Sequence, residues 1–310
     1  MTDLGQALDD YLRLRRSLGH QMAEAAYLLP DFVSFMDNRG EQTVTVAAAL
    51  DWIKTREPEV VTTVSPRRIT AVRGFARYLS GTDPATEVPP LGLVPYNRSR
   101  GQIFLYSDAD IAAIMAAAKE TIPQPLRAAT YHTLIGLLAA SGLRIGEAIK
   151  LDRDDINWTQ GVLHIRESKF GKSRLVPLQE STTNALREYD RLRERLMPRP
   201  KDPAFFISLT AKRLIYACVY PVFRALIETA GVGVDAPHRP RLHELRHTFA
   251  VRTLLHWYRT EDNIQARIPS LSTYMGHREP ACTYWYLSAA PELLVLAAAR
   301  RDSVRKAARP

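Results

Sequence analysis

Cysteine is scarce: Cys218 and Cys282 are the two in 310 residues, and 64 positions separate them. That spacing builds neither a disulfide framework nor a zinc site, so both are read as small buried residues in a reducing cytoplasm. Long apolar runs are missing too. The nearest approach, "LRAATYHTLIGLLAASGL", is interrupted by His, Thr and Ser and is too polar for a membrane span. The first residues, "MTDLGQALDDYLRL", carry acids where a secretory leader would have a basic start and an apolar core, which predicts no leader. There is no HExxH, no Walker loop and no GxGxxG, and no carboxylates are spaced for a metal or an acid/base pair. The expectation is therefore a chemistry with no metal and no cofactor.

What is present is 46% hydrophobic and 24% charged, the balance of a soluble globular protein. Its length suggests two domains. The net charge of +9 is unevenly placed. Residues 1–102 hold 12 basic and 12 acidic side chains, whereas 103–310 hold 30 and 21. The excess lies wholly in the second part and points to a polyanionic partner.

The periodicity of residues 1–82 predicts four helices, two of them ending at glycine. In the fourth, "SPRRITAVRGFARYLSG", Ile69, Val72, Ala76 and Leu79 make an apolar stripe, and Arg67, Arg68, Arg73 and Arg77 lie largely off it. Those four arginines are either a solvated face or a DNA-binding one. Residues 83–104, rich in proline and glycine, read as an extended linker. Beyond it Ser107 caps a helix, and more helices follow to the C-terminus, the last over 290–308. One β region interrupts them: "GVLHIRE" and "SRLVPL" read as a hairpin, with "AFFIS" as a possible third strand. The fold class is mainly α, with a small antiparallel sheet in an α+β second domain over 105–310.

Four stretches of that domain hold polar residues that a plain helical core would not choose. "SGLRIGEA" has Arg144 and Glu147 three apart after a glycine turn, "HELRHTFA" has His243 and Arg246 at helical i and i+3 with His247 a neighbour, "GH" is Gly276–His277, and "TYWYL" brings Tyr284 and Tyr286. The hairpin turn adds Lys169 and Lys172. Each has a bland alternative: an Arg–Glu helix bridge, exposed turn lysines, packed aromatics. Taken together they suit an anion with charge on several oxygens, because guanidinium forks match phosphate oxygens and stay charged at any working pH.

In order and spacing, "SGLRIGEA", a hairpin lysine, "HELRHTFA", "GH" and a tyrosine nine residues beyond that histidine resemble the tyrosine recombinase (phage integrase) family. The resemblance covers about residues 103–290, and the N-terminal segment looks like the family's helical core-binding domain, a SAM-like four-helix unit. It implies that Arg144 and Arg246 clamp a scissile phosphate, with Glu147 behind them. Lys169 would protonate the departing 5′ oxygen, His243 would assist proton transfer with the nucleophile, and His277 would donate to a non-bridging oxygen. Tyr286 would form a 3′-phosphotyrosine, without metal or ATP. Lys172, Arg174 and the four arginines of the fourth helix would contact DNA.

The implied function is site-specific DNA recombination on paired, inverted-repeat duplex sites in the cytoplasm, on the bacterial nucleoid. A homotetramer joined through the C-terminal helix is implied, with room for accessory proteins. Three alternatives stay open: a type IB topoisomerase, a telomere-resolving strand transferase, and an inactive DNA-binding regulator. Tyr284 and Tyr286 lie about 200° apart on a helix, so only one can serve the reaction. Thr283, Leu287, Tyr284 and Cys282 read as the wall against the core, which leaves Tyr286 pointing elsewhere.

Overall fold

The computed structural model describes residues 3–56, 65–94, 103–167, 171, 173–260, 263–277, 279, 281–289, 292–296 and 298. The chain divides into two compact units, Met1–Arg100 and Gly101–Pro310.

The first unit holds four helices: α1 (Leu4–Ser17), α2 (Ala23–Asn38), α3 (Val46–Arg56) and α4 (Ser65–Leu79). Asp3 starts α1 by accepting from the backbone N–H groups of Gly5 and Gln6, which satisfies donors the helix cannot. The stripe expected on α4 is buried, with Ile69, Val72, Ala76 and Leu79 joining Phe32, Met36 and Trp52 in one core. Trp52 donates its indole N–H to Asp31 at 3.0 Å, so its ring is buried without an orphaned polar atom.

The expected linker is not free over its first half. Arg73 donates to the carbonyls of Pro89 and Pro90 at 2.7 and 2.8 Å, Glu87 N–H donates to Val44 at 2.8 Å, and Val88, Leu93 and Val94 pack on the helical core. The segment has no secondary structure of its own, yet its backbone is held by side chains that sequence periodicity does not reveal.

In the second unit a capping box of Ser107 and Asp110 opens α5 (Asp108–Thr121), which packs on α6 (Pro125–Ser141). Then come α7 (Ile145–Lys150), a 3-10 turn (Arg153–Asp155), β1 (Ile156–Asn157), β2 (Val162–Ile165), β3 (Arg174–Pro177) and α8 (Glu180–Leu196). The unit continues with α9 (Tyr216–Thr229), α10 (Glu244–Thr260), α11 (Ile264–Met275) and α12 (Ala281–Ala289). The sheet is antiparallel in the order β1-β2-β3, and the hairpin register pairs Leu163 with Val176 and Ile165 with Arg174.

"AFFIS" is not a third strand; β1 takes that place. Ala204 and Ile207 make only isolated bridges, to Asp152 and Arg213, while Phe205 and Phe206 pack with Tyr189 in the core. The aromatic pair drives burial there, and its backbone pairs with two different neighbours, so no ladder forms.

Two further expectations change. Cys218 and Cys282 are exposed, because they stand on the outer faces of α9 and α12. Residues 292–296 are helical and Leu293 is buried against α10 and α11 residues, whereas most of the helix expected over 290–308 lies outside the described residues. Among the described residues no helix is long and apolar enough to cross a membrane.

Candidate active site

Two glycine turns build the centre of the site. α6 ends where Gly142 adopts a φ of +61°, and a Cβ there would stand 2.4 Å from the Phe249 ring. Only glycine meets both conditions. The next residue, Leu143, is buried, which leaves Arg144 as the residue entering α7. α11 ends in the same way at Gly276, with a φ of +64°, where a Cβ would approach the Arg174 guanidinium to 2.8 Å.

The carbonyls of these turns receive both arginines. Arg246 donates through Nη1 to Gly142 at 2.7 Å and through Nη2 to Met275 at 2.6 Å. Arg144 donates through Nη2 to Gly276 at 2.9 Å and through Nη1 to Glu147 at 2.7 Å. Of five guanidinium N–H groups, each arginine thus commits two among the described residues, and the others remain for an anion. Arg246 is 2% exposed. Its burial, and then the charge of Arg144, lower its pKa to about 10, so it is still a cation at neutral pH.

Glu147 neutralises this cationic centre from behind. Its buried carboxylate accepts from the Arg144 N–H at 3.0 Å and from Arg174 Nη1 and Nη2 at 3.0 and 2.9 Å. Burial pushes its pKa up, but the hydrogen bonds and charge of Arg174, then of Arg144, hold it at about 2.

Arg174 was expected on DNA. It instead forks onto Glu147 and donates through Nε to the Tyr274 carbonyl at 2.7 Å. It ties β3 to α7 and to the last turn of α11. Lys169 and Lys172 lie outside the described residues. Arg73 holds the Pro89 and Pro90 carbonyls, Arg68 lies over the Trp52 ring at 5.4 Å, Arg67 pairs with Glu24 at 3.7 Å, and Arg77 is exposed. Of the four, Arg67 and Arg77 keep most open surface, because Arg68 and Arg73 pack on their own unit.

His243 does not share a helix with Arg246. α10 begins one residue later, at Glu244, and His243 sits in the preceding turn, held by the Arg246 N–H donating to its carbonyl at 3.1 Å. Crowding in the cleft, and then the charges of Arg246 and Arg144, push its imidazole pKa down to about 4. The residue as a whole stays exposed to solvent, which screens that effect.

Tyr286 is 3% exposed and Tyr284 45% exposed, the reverse of the expected assignment of faces. α12 turns Thr283 and Tyr286 inward, and Tyr284 and Cys282 outward. Tyr286 Oη lies 3.0 Å from His247 Nδ1, and its ring stacks near His277 with centroids 6.1 Å apart. His277 Nδ1 lies 2.7 Å from Thr283 Oγ1, which orients the ring.

The structure thus brings Arg144, Arg246, His243, His277 and Tyr286 into one neighbourhood with Glu147 beneath them. His247, Thr283 and the internal role of Arg174 were not evident from sequence. Only the adjacency of His247 to Arg246 in "LRHT" hinted at the first. Among the described residues, no three His, Cys, Asp or Glu side chains cluster closely enough to hold a metal ion.

Comparison with known proteins is consistent with this geometry. Residues 105–292 match the phage integrase family. The protein y4rB of Sinorhizobium fredii, assigned as an integrase/recombinase, is 39% identical over 300 residues, covering 95% of each chain. The tyrosine recombinase XerD of Pseudomonas aeruginosa is 30% identical over 292 residues, 89% of each. In fold, the integrase of the transposon Tn1549, solved with transposon right end DNA, has a TM-score of 0.68 at 16% identity, covering 97% of this chain and 99% of that one. A lambda integrase tetramer on a Holliday junction has a TM-score of 0.62 at 16% identity over 91% and 76%. From its sequence relatives over nearly the whole chain, and from a catalytic unit of matching fold, this chain belongs to the phage integrase family and is a tyrosine-type site-specific DNA recombinase.

Proposed function

We propose that Tyr286 attacks a DNA phosphodiester held by Arg144 and Arg246, giving a 3′-phosphotyrosine and a free 5′-hydroxyl. The observation that carries this reading is the seating of both guanidiniums on the Gly142 and Gly276 turns, beside the inward face of α12. Donors fixed on backbone carbonyls need no reorganisation when charge builds on the non-bridging oxygens, and this is where most rate enhancement arises. Glu147 and Arg174 orient Arg144, and His277, held through Nδ1, gives a further donor from Nε2. His243, at the open edge, assists proton movement at the phosphate, and Lys169 protonates the leaving 5′ oxygen.

One phosphodiester is exchanged for a phosphotyrosine, so the bond energy is kept for rejoining to a 5′-hydroxyl from a partner duplex. The first unit, with Arg67 and Arg77 as the more exposed of the four α4 arginines, acts as the core-binding domain over residues 1–82. Four protomers act on two sites, since lambda integrase is a tetramer on its junction, and the C-terminal helix joins neighbours.

The test uses nicked duplexes selected by binding from a random-sequence pool. Wild type is expected to form an adduct that survives boiling in detergent, with the phosphopeptide mapping to Tyr286. Tyr286→Phe should bind the same DNA and form none. An adduct mapping to Tyr284 would overturn the assignment, and one protomer per site pair on native mass would overturn the tetramer.

A further inference from the structure

His247 is a residue of the site that the motif spacing does not single out, and it lies within hydrogen-bonding distance of the reacting oxygen. It follows Arg246 on α10, so its side chain leaves the helix about 100° away from the clamp. Arg246 reaches down to the two glycine turns, and His247 then faces α12. Its Nδ1 lies 3.0 Å from Tyr286 Oη, within the range in which a base can take a proton directly.

The ring is held on other sides as well. Trp285 meets it edge-on at 5.4 Å, and His243 meets it edge-on at 4.8 Å and 85°. Among the described residues, the titratable and charged groups around it include His243 from the turn before α10, Arg246 on its own helix, and Tyr286 on α12 with His277 behind it.

We propose that His247 is a catalytic residue: it accepts the phenolic proton of Tyr286 during cleavage and returns it on rejoining. The proposal rests on Tyr286 being the nucleophile. Nδ1 must present its lone pair, so the neutral ring carries its proton on Nε2. As the Tyr286 Oη–phosphorus bond forms, the phenolic proton passes to Nδ1. The phosphorus–O5′ bond breaks with its electron pair, and O5′ takes a proton from Lys169. On rejoining, the incoming 5′-hydroxyl gives its proton back to the neutral Lys169 amine as it bonds phosphorus. The phosphorus–Oη bond then breaks, and the His247 imidazolium returns its proton to the phenolate.

A phenol near pKa 10 is a weak nucleophile at neutral pH, whereas an imidazole near 6.5 is a matched acceptor. His243 is less suited to this step. Its ring stands in the preceding turn beside two guanidiniums, which oppose a further positive charge there.

The experiment measures single-turnover adduct formation on the nicked duplex from about pH 6 to about pH 10, bracketing imidazole and phenol. His247→Asn keeps a hydrogen-bonding group near the Nδ1 position but cannot take up a proton; His247→Ala removes both. Both variants are expected to lose about 10²–10⁴-fold in rate at neutral pH and to regain it as pH approaches the phenol's own range. A 5′-bridging sulfur, which relieves the need for a leaving-group acid, should rescue neither.

A His247→Asn enzyme with wild-type rate and pH dependence would overturn the proposal. So would full rescue by Asn of the loss seen with Ala, which would mean that His247 only positions the phenol. If either variant binds DNA poorly, His243→Gln gives an independent reading. The acid limb of its pH profile should remain, and disappearance of that limb would assign the base to His243. Adduct formation by Tyr286→Phe would instead refute the nucleophile itself, which separates the two failures.

Discussion

Arg174→Ala should unseat the site from beneath. The side chain is about one-tenth exposed and makes three hydrogen bonds, two to Glu147 and one to the Tyr274 carbonyl. Removing one partner of a buried ion pair costs about 3–5 kcal/mol. Glu147 keeps the Arg144 N–H and Nη1, so the lower end of that range applies.

Proton linkage supports a similar figure. The Glu147 pKa falls from 4.5 to about 2 on folding, with Arg174 the largest lowering influence. A depressed carboxylate stabilises fully above its unfolded pKa and loses that contribution as pH falls through its folded one. The shift corresponds to about 3 kcal/mol at neutral pH. The deficit of the variant should therefore be largest near neutrality and shrink as pH falls from 4.5 toward 2.

Urea unfolding followed by tryptophan fluorescence reads this well, because Trp158, Trp257 and Trp285 lie in the second unit and only Trp52 in the first. Arg174→Lys should recover part of the loss, since an ammonium cannot fork onto both carboxylate oxygens. Adduct formation should fall along with stability, because the turn that carries His277 loses its tie. Unchanged stability, together with weaker DNA binding and a salt slope reduced by about one, would refute this reasoning and return Arg174 to the DNA backbone.

Replacing Arg144 or Arg246 with Ala should cost about 10²–10³ in cleavage rate, the scale for a lost transition-state donor. Affinity measured by filter binding should fall far less; equal losses in both would make that residue a binding contact. Cleavage should persist in excess chelator, and its abolition by EDTA with restoration by magnesium would sink a mechanism built on guanidinium donors. Gly142→Ala should destabilise the second unit by about 1–2 kcal/mol from its left-handed backbone alone. The methyl group, 2.4 Å from Phe249, adds an overpacking cost of about 1–3 kcal/mol, and urea titration would show the sum.

Much of this molecule is written in local sequence. The Asp3 cap, the Ser107–Asp110 box, the buried stripe of α4 and the β2–β3 hairpin depend on residues a few positions apart, and periodicity and capping chemistry expose them directly. The ordered motifs around Arg144, Arg246, His277 and Tyr286 likewise point to the reaction from sequence alone.

What local sequence could not decide was which partner each face meets. α12 is apolar nearly all round, so its pattern does not say whether Tyr284 or Tyr286 turns inward; packing against α10 and α11 residues does. The start of α10 at Glu244 puts His243 in a turn and His247 on the helix, and so puts His247 at the phenol. Arg174 and Glu147 stand 27 residues apart in sequence, and only the meeting of β3 with α7 and α11 makes them an ion pair. Spacing along a chain sets the direction in which a side chain leaves its own helix or strand. The group it finds there depends on contacts between distant segments, and these exist only once the core has closed.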